Sequence, residues 1–230
     1  MFMHLRTLPT LIFLLLALAL SAQAKEVVCP PAAAQLAPLK YTVDGEPRTL
    51  ALCDVYRFHG GVCPGATMAF RAVGYGLELL FGDEIPELAD LLIISKAPGG
   101  PMDLFDLMIK GDNPALRTWP PTGMTNSADN FSFQFLDKSK LKMVTVELKQ
   151  GLWPDDWFVL RDKNREGVIT PEEEKKRLAD RQHVINTFPT RSYAELFGQP
   201  RVETFVIWGE IEPGEMDKRI RVYRRQNRGQ

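Results

Sequence analysis

The sequence predicts an α+β domain in which helices pack on a largely antiparallel sheet. Three observations support this class: a helix-like apolar periodicity from Pro64 to a stop at Gly82, two alternating segments that face each other across a short turn within residues 130–149, and a charged helical segment from Thr170 to Asn186 that precedes further strand-like runs. Mixed order of this kind, without regular alternation of strand and helix, is typical of α+β proteins.

The first 24 residues have the pattern of a cleaved secretory signal. Arg6 precedes an apolar run from Leu11 to Leu20, and Ala22-Gln23-Ala24 has the small residues of a cleavage site. The run is shorter than the roughly 20 residues that a membrane span needs, so we expect no stable membrane anchor. We therefore predict export, to the periplasm in a Gram-negative host, and a single mature domain over residues 25–230.

Composition and cysteine usage narrow the class further. Loss of Arg6 with the signal takes the net charge from −1 to −2, and nothing in this balance indicates a nucleic-acid partner. Three cysteines, Cys29, Cys53 and Cys63, predict either one disulfide and one thiol or an intermolecular bond in an oxidising compartment. Sequence alone does not fix the connectivity; we expect Cys29 to pair with Cys53, which leaves Cys63 free.

The elements follow from local patterns, after an irregular lead-in over residues 25–37. Residues 40–52 carry an Asp44-Gly45 turn signal and predict a hairpin or a strand-to-helix corner. Residues 64–82 predict a helix because Met68, Phe70, Val73, Leu77 and Leu80 recur near helical spacing. The remaining predictions are a buried strand (91–96), a short helix (101–111), two antiparallel strands (130–136 and 141–149) joined across Asp137–Lys140, a charged helix (170–186), a short helix (191–198) and two closing strands (202–211 and 219–225).

The stretch "FHGGVCPG" places His59 and Cys63 four residues apart, around a glycine pair. Pro64 suits the first position of a helix, so Cys63 lies at or beside its N-cap, where free N–H groups and the helix dipole favour a thiolate. A thiolate and an imidazole that converge are either two metal ligands or a nucleophile and its base. The alternative is a tight turn with a small buried cysteine and a histidine bonded to the backbone.

This stretch, with Phe70-Arg71-Ala72 downstream, resembles the FmdE-like family, which is named after a component of formylmethanofuran dehydrogenase. The family signature is Phe-His-Gly-His-x-Cys-Pro-Gly with a Tyr-Arg-Ala-like continuation. Residues 165–202 resemble the family's Gly-x-x-Thr-Pro-Glu-Glu turn, charged helix and short "ELF" helix. The resemblance implies an α+β core over about residues 49–202, with a C-terminal strand extension. It also implies a metal-binding cleft around His59 and Cys63.

Two departures from the family pattern affect that cleft. Gly61 stands where the family has its second histidine, and the C-terminal cysteine-rich zinc module is absent from the sequence. In residues 99–114, Asp103 matches the family's aspartate, Asp106 stands in place of a glutamine, and Asp112 falls near a missing cysteine. Asp112 is either an oxygen ligand or a turn residue before Pro114.

The resemblance therefore implies a zinc or iron site formed by His59, Cys63 and Asp112. We expect an exported metal-binding protein of the FmdE-like type that acts on a small-molecule ligand; the sequence leaves open whether it is an enzyme. The alternative is a non-enzymatic periplasmic binding protein whose metal site has degenerated. A homodimer is compatible with either interpretation.

Residues 162–173 also match an EF-hand calcium loop. Its candidate ligands are Asp162, Asn164, Glu166 and Glu173. The alternative is plain helix initiation, in which Thr170 is the N-cap, Pro171 the first helical residue and Glu173 the partner in a capping box.

Overall fold

The computed structural model describes residues 26–111, 125–206 and residue 208. The predicted signal peptide (1–24), Asp112 and the closing strand predicted at 219–225 lie outside these residues. Within them, the helices are α1 (Pro31–Ala34), α2 (Leu52–His59), α3 (Pro64–Phe81), α4 (Gly100–Lys110), α5 (Trp157–Glu166), α6 (Pro171–Thr187) and α7 (Tyr193–Phe197). The strands are β1 (Leu39–Val43), β2 (Glu46–Leu50), β3 (Leu91–Ser95), β4 (Ser132–Asp137), β5 (Lys142–Glu147) and β6 (Val202–Thr204).

The strands form two antiparallel sheets, which confirms the predicted α+β class. One is the β1–β2 hairpin, whose Asp44-Gly45 turn has φ of 53° and 79°. Positive φ at both central residues is what a type I′ hairpin turn requires. The other sheet has the order β3-β4-β5-β6, and β4 and β5 pair across the turn after Asp137, as predicted. Of the predicted strand at 202–211, β6 forms the beginning.

Helix α3 is the centre of the core. It packs on β4, β5, α2, α4, α6 and α7, and the apolar residues predicted for its inner face are all buried. The contact with β4 depends on Gly76, because a Cβ there would lie 2.3 Å from the Phe135 ring. Among the described helices, none is long and apolar enough to cross a bilayer.

Helices α1, α2 and α5 are not among the elements that the sequence predicts; α1 lies within the lead-in predicted to be irregular. At the start of α2 the backbone N–H of Ala51 donates to Asp54 Oδ2 (2.9 Å). The capping side chain thus comes from inside the helix, and the N-cap residue itself is an alanine, which is not a conventional N-cap signal. The C-terminal half of α5 occupies the segment that matches a calcium loop, and Gly167 ends it with φ of 73°. Leu52, Val55 and Tyr56 of α2 are buried and recur at helical spacing, but the helix is only 8 residues long. Helix α5 is also short, and its C-terminal half is polar.

The predicted disulfide is confirmed: Cys29 is bonded to Cys53, and Cys63 is free. The bond ties the lead-in to the first turn of α2 and closes a loop with a sequence separation of 24 residues. A cross-link of this span restricts the unfolded chain and stabilises the fold by about 3 kcal/mol.

We therefore expect reduction of Cys29–Cys53 to lower the free energy of unfolding by about 3 kcal/mol, measured by urea denaturation with and without reductant. The double variant Cys29→Ala/Cys53→Ala should show the lower stability in both conditions. Equal midpoints for oxidised and fully reduced wild-type protein would contradict the expectation.

Candidate active site

The turn between α2 and α3 brings His59 and Cys63 to one place. Gly60 ends α2 with φ of 82°, and the N–H groups of Gly60 and Gly61 donate to carbonyls of the last turn of α2 at 3.1 and 2.9 Å. This is the Schellman type of helix end, which glycine favours. Cys63 is then the N-cap of α3, as predicted, and Pro64 is its first residue. The motif thus joins the end of one helix to the start of the next.

A set of hydrogen bonds fixes this turn from the core side. Thr67 Oγ1 donates its one proton to the Cys63 carbonyl oxygen (2.9 Å). In its contact with the Tyr56 hydroxyl (2.6 Å) Thr67 Oγ1 must therefore be the acceptor, and Tyr56 the donor. Tyr56 is fully buried, and burial raises its pKa to about 12, so the hydroxyl keeps its proton. From α6, Arg181 Nη2 donates to the Val62 carbonyl oxygen (2.7 Å). The backbone around Cys63 is therefore held by three different helices.

Asp103 completes a chain of three side chains. Its Oδ2 lies 2.5 Å from His59 Nδ1. The Asp103 side chain is 10% exposed and the His59 side chain 30%, so the pair is partly shielded while the imidazole stays accessible. His59 is the last residue of α2 and Asp103 is in the first turn of α4, positions where helix dipoles favour a cation and an anion respectively. The Asp103 carboxylate also orients the ring through its hydrogen bond with Nδ1.

The surroundings of the Cys63 thiol favour its thiolate form. Burial by itself raises the pKa of Cys63. The hydrogen bond and charge of His59, together with hydrogen bonds from the backbone N–H groups of Ala66 and Gly65, outweigh burial and bring the pKa below its ordinary value. Cys63 as a whole residue is half-buried.

The start of α4 closes against the same sulfur. A Cβ on Gly100 would lie 2.5 Å from Cys63 Sγ and 2.8 Å from the Ala66 nitrogen. Only glycine therefore lets the two helix starts approach this closely. The amino-terminal ends of α3 and α4 both lie beside the sulfur, and each favours negative charge there.

A cavity of about 480 Å³ lies between the β1–β2 hairpin, α2 and α4, and none of His59, Cys63 and Asp103 lines it. Its walls include Phe58, which precedes His59 in α2, and Leu107, one helical turn after Asp103 in α4. The cavity shares the two helices that carry the histidine and the aspartate.

The arrangement has the parts of a nucleophile–base–carboxylate constellation. Cys63 is an activated thiol, the His59 imidazole is in position to move its proton, and Asp103 orients the imidazole. The sequence patterns assign Asp103 no role in the site and match it only to a family position. The available signal is an acid in the first turn of a helix that begins at Gly-Gly-Pro, but nothing in sequence tells which other helix end such a turn faces.

The donor set for a metal is incomplete within the described ranges. His59 and Cys63 supply two donors, while Asp103 is engaged at the other ring nitrogen of the histidine. No three His, Cys, Asp or Glu side chains converge on one point in the part of the chain that the structure describes. A zinc site needs three or four ligands, and the third predicted ligand, Asp112, lies outside that part.

The candidate calcium ligands lie on two helices. Asp162, Asn164 and Glu166 belong to α5, and Glu173 belongs to the first turn of α6. Glu173 forms the capping box with Thr170 that the alternative interpretation requires, and it also pairs with Lys163. The helix-initiation interpretation is confirmed, while calcium binding stays a prediction.

Comparisons with known proteins add no relative to these observations. A scan against protein-family models found no match, and a search of curated proteins found no similar sequence. The relationship to the FmdE-like family accordingly stays a prediction that rests on the motifs quoted above.

Proposed function

We propose that this protein is an exported enzyme in which the Cys63 thiolate attacks the carbonyl group of a small ester or thioester. One observation carries the proposal: the His59 imidazole is bonded to the Asp103 carboxylate at 2.5 Å and lies close enough to Cys63 to lower the pKa of its thiol. Side chains in this order act as nucleophile, general base and orienting group in unrelated hydrolases. The proposal concerns the site and does not depend on the family resemblance.

In the proposed reaction the His59 imidazole takes the thiol proton as the Cys63 sulfur bonds to the carbonyl carbon. The bond from that carbon to the leaving group then breaks, and the imidazolium returns the proton to the alcohol or thiol that leaves. Water attacks the resulting thioester with His59 again acting as base, and the acid and the free Cys63 thiol are released. Asp103 stabilises the imidazolium in both halves and keeps its own charge.

The proposal is tested with p-nitrophenyl acetate as the acyl donor. We expect a burst of p-nitrophenolate equal to the protein concentration, and a mass increase of one acetyl group on the peptide that contains Cys63. The variant Cys63→Ser should show neither, while His183→Ala, which removes an exposed histidine of α6, should behave as wild type. Acetylation spread over lysines, with none on Cys63, would reject the proposal.

A second candidate is a zinc or iron site with His59 and Cys63 as ligands and Asp112 as the third. The hydrogen bond from His59 Nδ1 to Asp103 Oδ2 favours it, because metal-binding histidines commonly donate their other ring N–H to a carboxylate. The resemblance to the FmdE-like family supports the same ligands. A metal bound there would polarise a small ligand or a bound water, and the chain's own contribution would be to orient the imidazole through Asp103.

Metal content separates the two candidates. The metal candidate predicts that mature protein from its export compartment carries stoichiometric zinc or iron, which both His59→Ala and Cys63→Ser lose. Equal metal content in all three proteins rejects the metal site. If metal is absent and the acetylation test also fails, the protein is better described by the remaining alternative, a non-enzymatic binding protein with a degenerate site.

The proposed export of the chain agrees with the Cys29–Cys53 disulfide, since such bonds persist in oxidising compartments. Fractionation of the native host, with sequencing of the mature N-terminus, tests both the periplasmic location and cleavage after Ala24. A chain that keeps residues 1–24 in the membrane fraction would contradict this part of the proposal.

A further inference from the structure

A second cavity, of about 520 Å³, lies along another part of α3. It is bounded by the segment Leu36–Lys40, by residues 82–86 after α3 and by Tyr193 at the start of α7. The Cys63 site does not use these residues. The cavity does include Arg71, the arginine of the Phe-Arg-Ala stretch that the proposed reaction leaves without a role.

Arg71 is held firmly but is not fully satisfied. Its Nη2 donates to the Arg191 carbonyl oxygen (2.6 Å), and its guanidinium lies 4.2 Å from the centre of the Tyr193 ring. Nε is buried and has no hydrogen-bond partner among the described residues. Arg71 is half-buried and lines the cavity, so the part of its guanidinium that faces the cavity is positioned to pair with an acceptor from outside the chain.

The wall beside Arg71 is formed by helix backbone. A Cβ on Gly74 would lie 2.6 Å from Tyr193 Oη, so glycine is what allows the hydroxyl to lie against α3. Tyr193 is kept in place by stacking on Tyr75, with ring centres 4.8 Å apart. The half-buried Tyr193 thus lines the cavity with its ring against the Arg71 guanidinium and its hydroxyl against Gly74.

Glu78 gives the cavity a negative charge, opposite in sign to that of Arg71. Glu78 follows Arg71 by seven residues, about 10 Å along the helix axis, and is exposed. Burial lowers the pKa of Arg71 while the charge of Glu78 raises it, so the two groups are within electrostatic reach of each other. Buried Leu39 and Leu77 supply apolar surface at the cavity.

We propose that this cavity binds an amino-acid-sized zwitterion with an apolar side chain. The ligand's carboxylate would pair with the Arg71 guanidinium and the Tyr193 hydroxyl, and its ammonium group would face Glu78. A simple anion fits less well because Glu78 and Asp83 place negative charge on the same cavity. The site is separate from Cys63, so the proposal stands independently of the thiol reaction.

Calorimetric titration of the oxidised mature protein with three related compounds tests the charge pattern. L-leucine carries both charges, leucinamide lacks the carboxylate, and 4-methylpentanoate lacks the ammonium group. We expect saturable binding of leucine and, for each analogue, affinity lower by about tenfold or more, the usual effect of losing a hydrogen bond to a charged group. Absence of leucine binding at millimolar concentration, or equal affinity for all three, overturns the proposal.

Variants then locate the site. Arg71→Gln and Glu78→Gln should each weaken leucine binding by about tenfold. Arg165→Gln, which removes an arginine whose side chain is 71% exposed on α5, should leave binding unchanged. Cys63→Ser should also bind leucine normally, which separates this site from the proposed reaction. Arg71 also holds the Arg191 carbonyl, so each variant is titrated at the same number of degrees below its own melting temperature. If Arg71→Gln does not fold, the analogue series on wild-type protein still decides the question.

Discussion

Replacement of His59 by alanine is expected to slow alkylation of Cys63 at neutral pH by about ten- to a hundredfold. The wild-type thiol has a pKa below its ordinary value because His59 and two backbone N–H groups outweigh the effect of burial. Without the imidazole, burial dominates and the pKa rises. Each unit of that rise lowers the thiolate fraction at neutral pH about tenfold. The rate of iodoacetamide labelling across pH, followed by mass spectrometry, measures the change.

The pH profile distinguishes this cause from a loss of structure. In wild type the labelling rate should rise to its plateau below the pH range of an ordinary thiol, and in His59→Ala the same rise should move to higher pH. Asp103→Asn should shift the profile in the same direction by a smaller amount, since the ring loses its anionic partner but remains. His183→Ala is the matched control and should be unchanged. Identical profiles for wild type and His59→Ala would show that the imidazole does not act on Cys63.

Local sequence patterns identify the two residues of this site that are close along the chain. His59 and Cys63 are linked by a turn whose residues are themselves the signals: glycine ends one helix and proline begins the next. Asp103 lies 44 positions from His59, and their contact depends on the packing of α2 against α4. Local patterns carry no information about that packing, so the third member of the chain of side chains emerges only from the fold.

The helices and strands show the same difference between what local sequence patterns reveal and what only the fold reveals. The helix at Pro64 and the strands β4 and β5 have strong apolar periodicity, and each is confirmed. The segment 162–166 matches a calcium loop by residue type, yet it continues a helix that Gly167 terminates. Aspartate, asparagine and glutamate are tolerated on an exposed helix as well as in a metal loop, so spacing alone does not separate the two.

Gly100, at the start of α4, is a glycine that the site needs although no sequence motif indicates it, because α4 packs closely against Cys63 there. We expect Gly100→Ala to slow Cys63 labelling at neutral pH by about tenfold or more, and to destabilise the fold by roughly 1–3 kcal/mol. The added methyl would lie 2.5 Å from Cys63 Sγ and 2.8 Å from the Ala66 nitrogen, so something must move. If the sulfur moves, it leaves the N–H groups that favour its thiolate. If α4 moves, Asp103 is carried away from His59.

Either movement lowers the rate of Cys63 labelling, so this rate reports how tightly α4 packs against the thiol. Gly61→Ala is the matched control: it adds the same methyl in the turn between α2 and α3, where no atom lies within 4 Å and the backbone is unstrained. It should leave both the labelling profile and the melting temperature close to wild type. If Gly100→Ala folds with a wild-type labelling profile, the start of α4 does not contribute to the thiolate, and His59 with the backbone N–H groups of Gly65 and Ala66 would have to account for its activation.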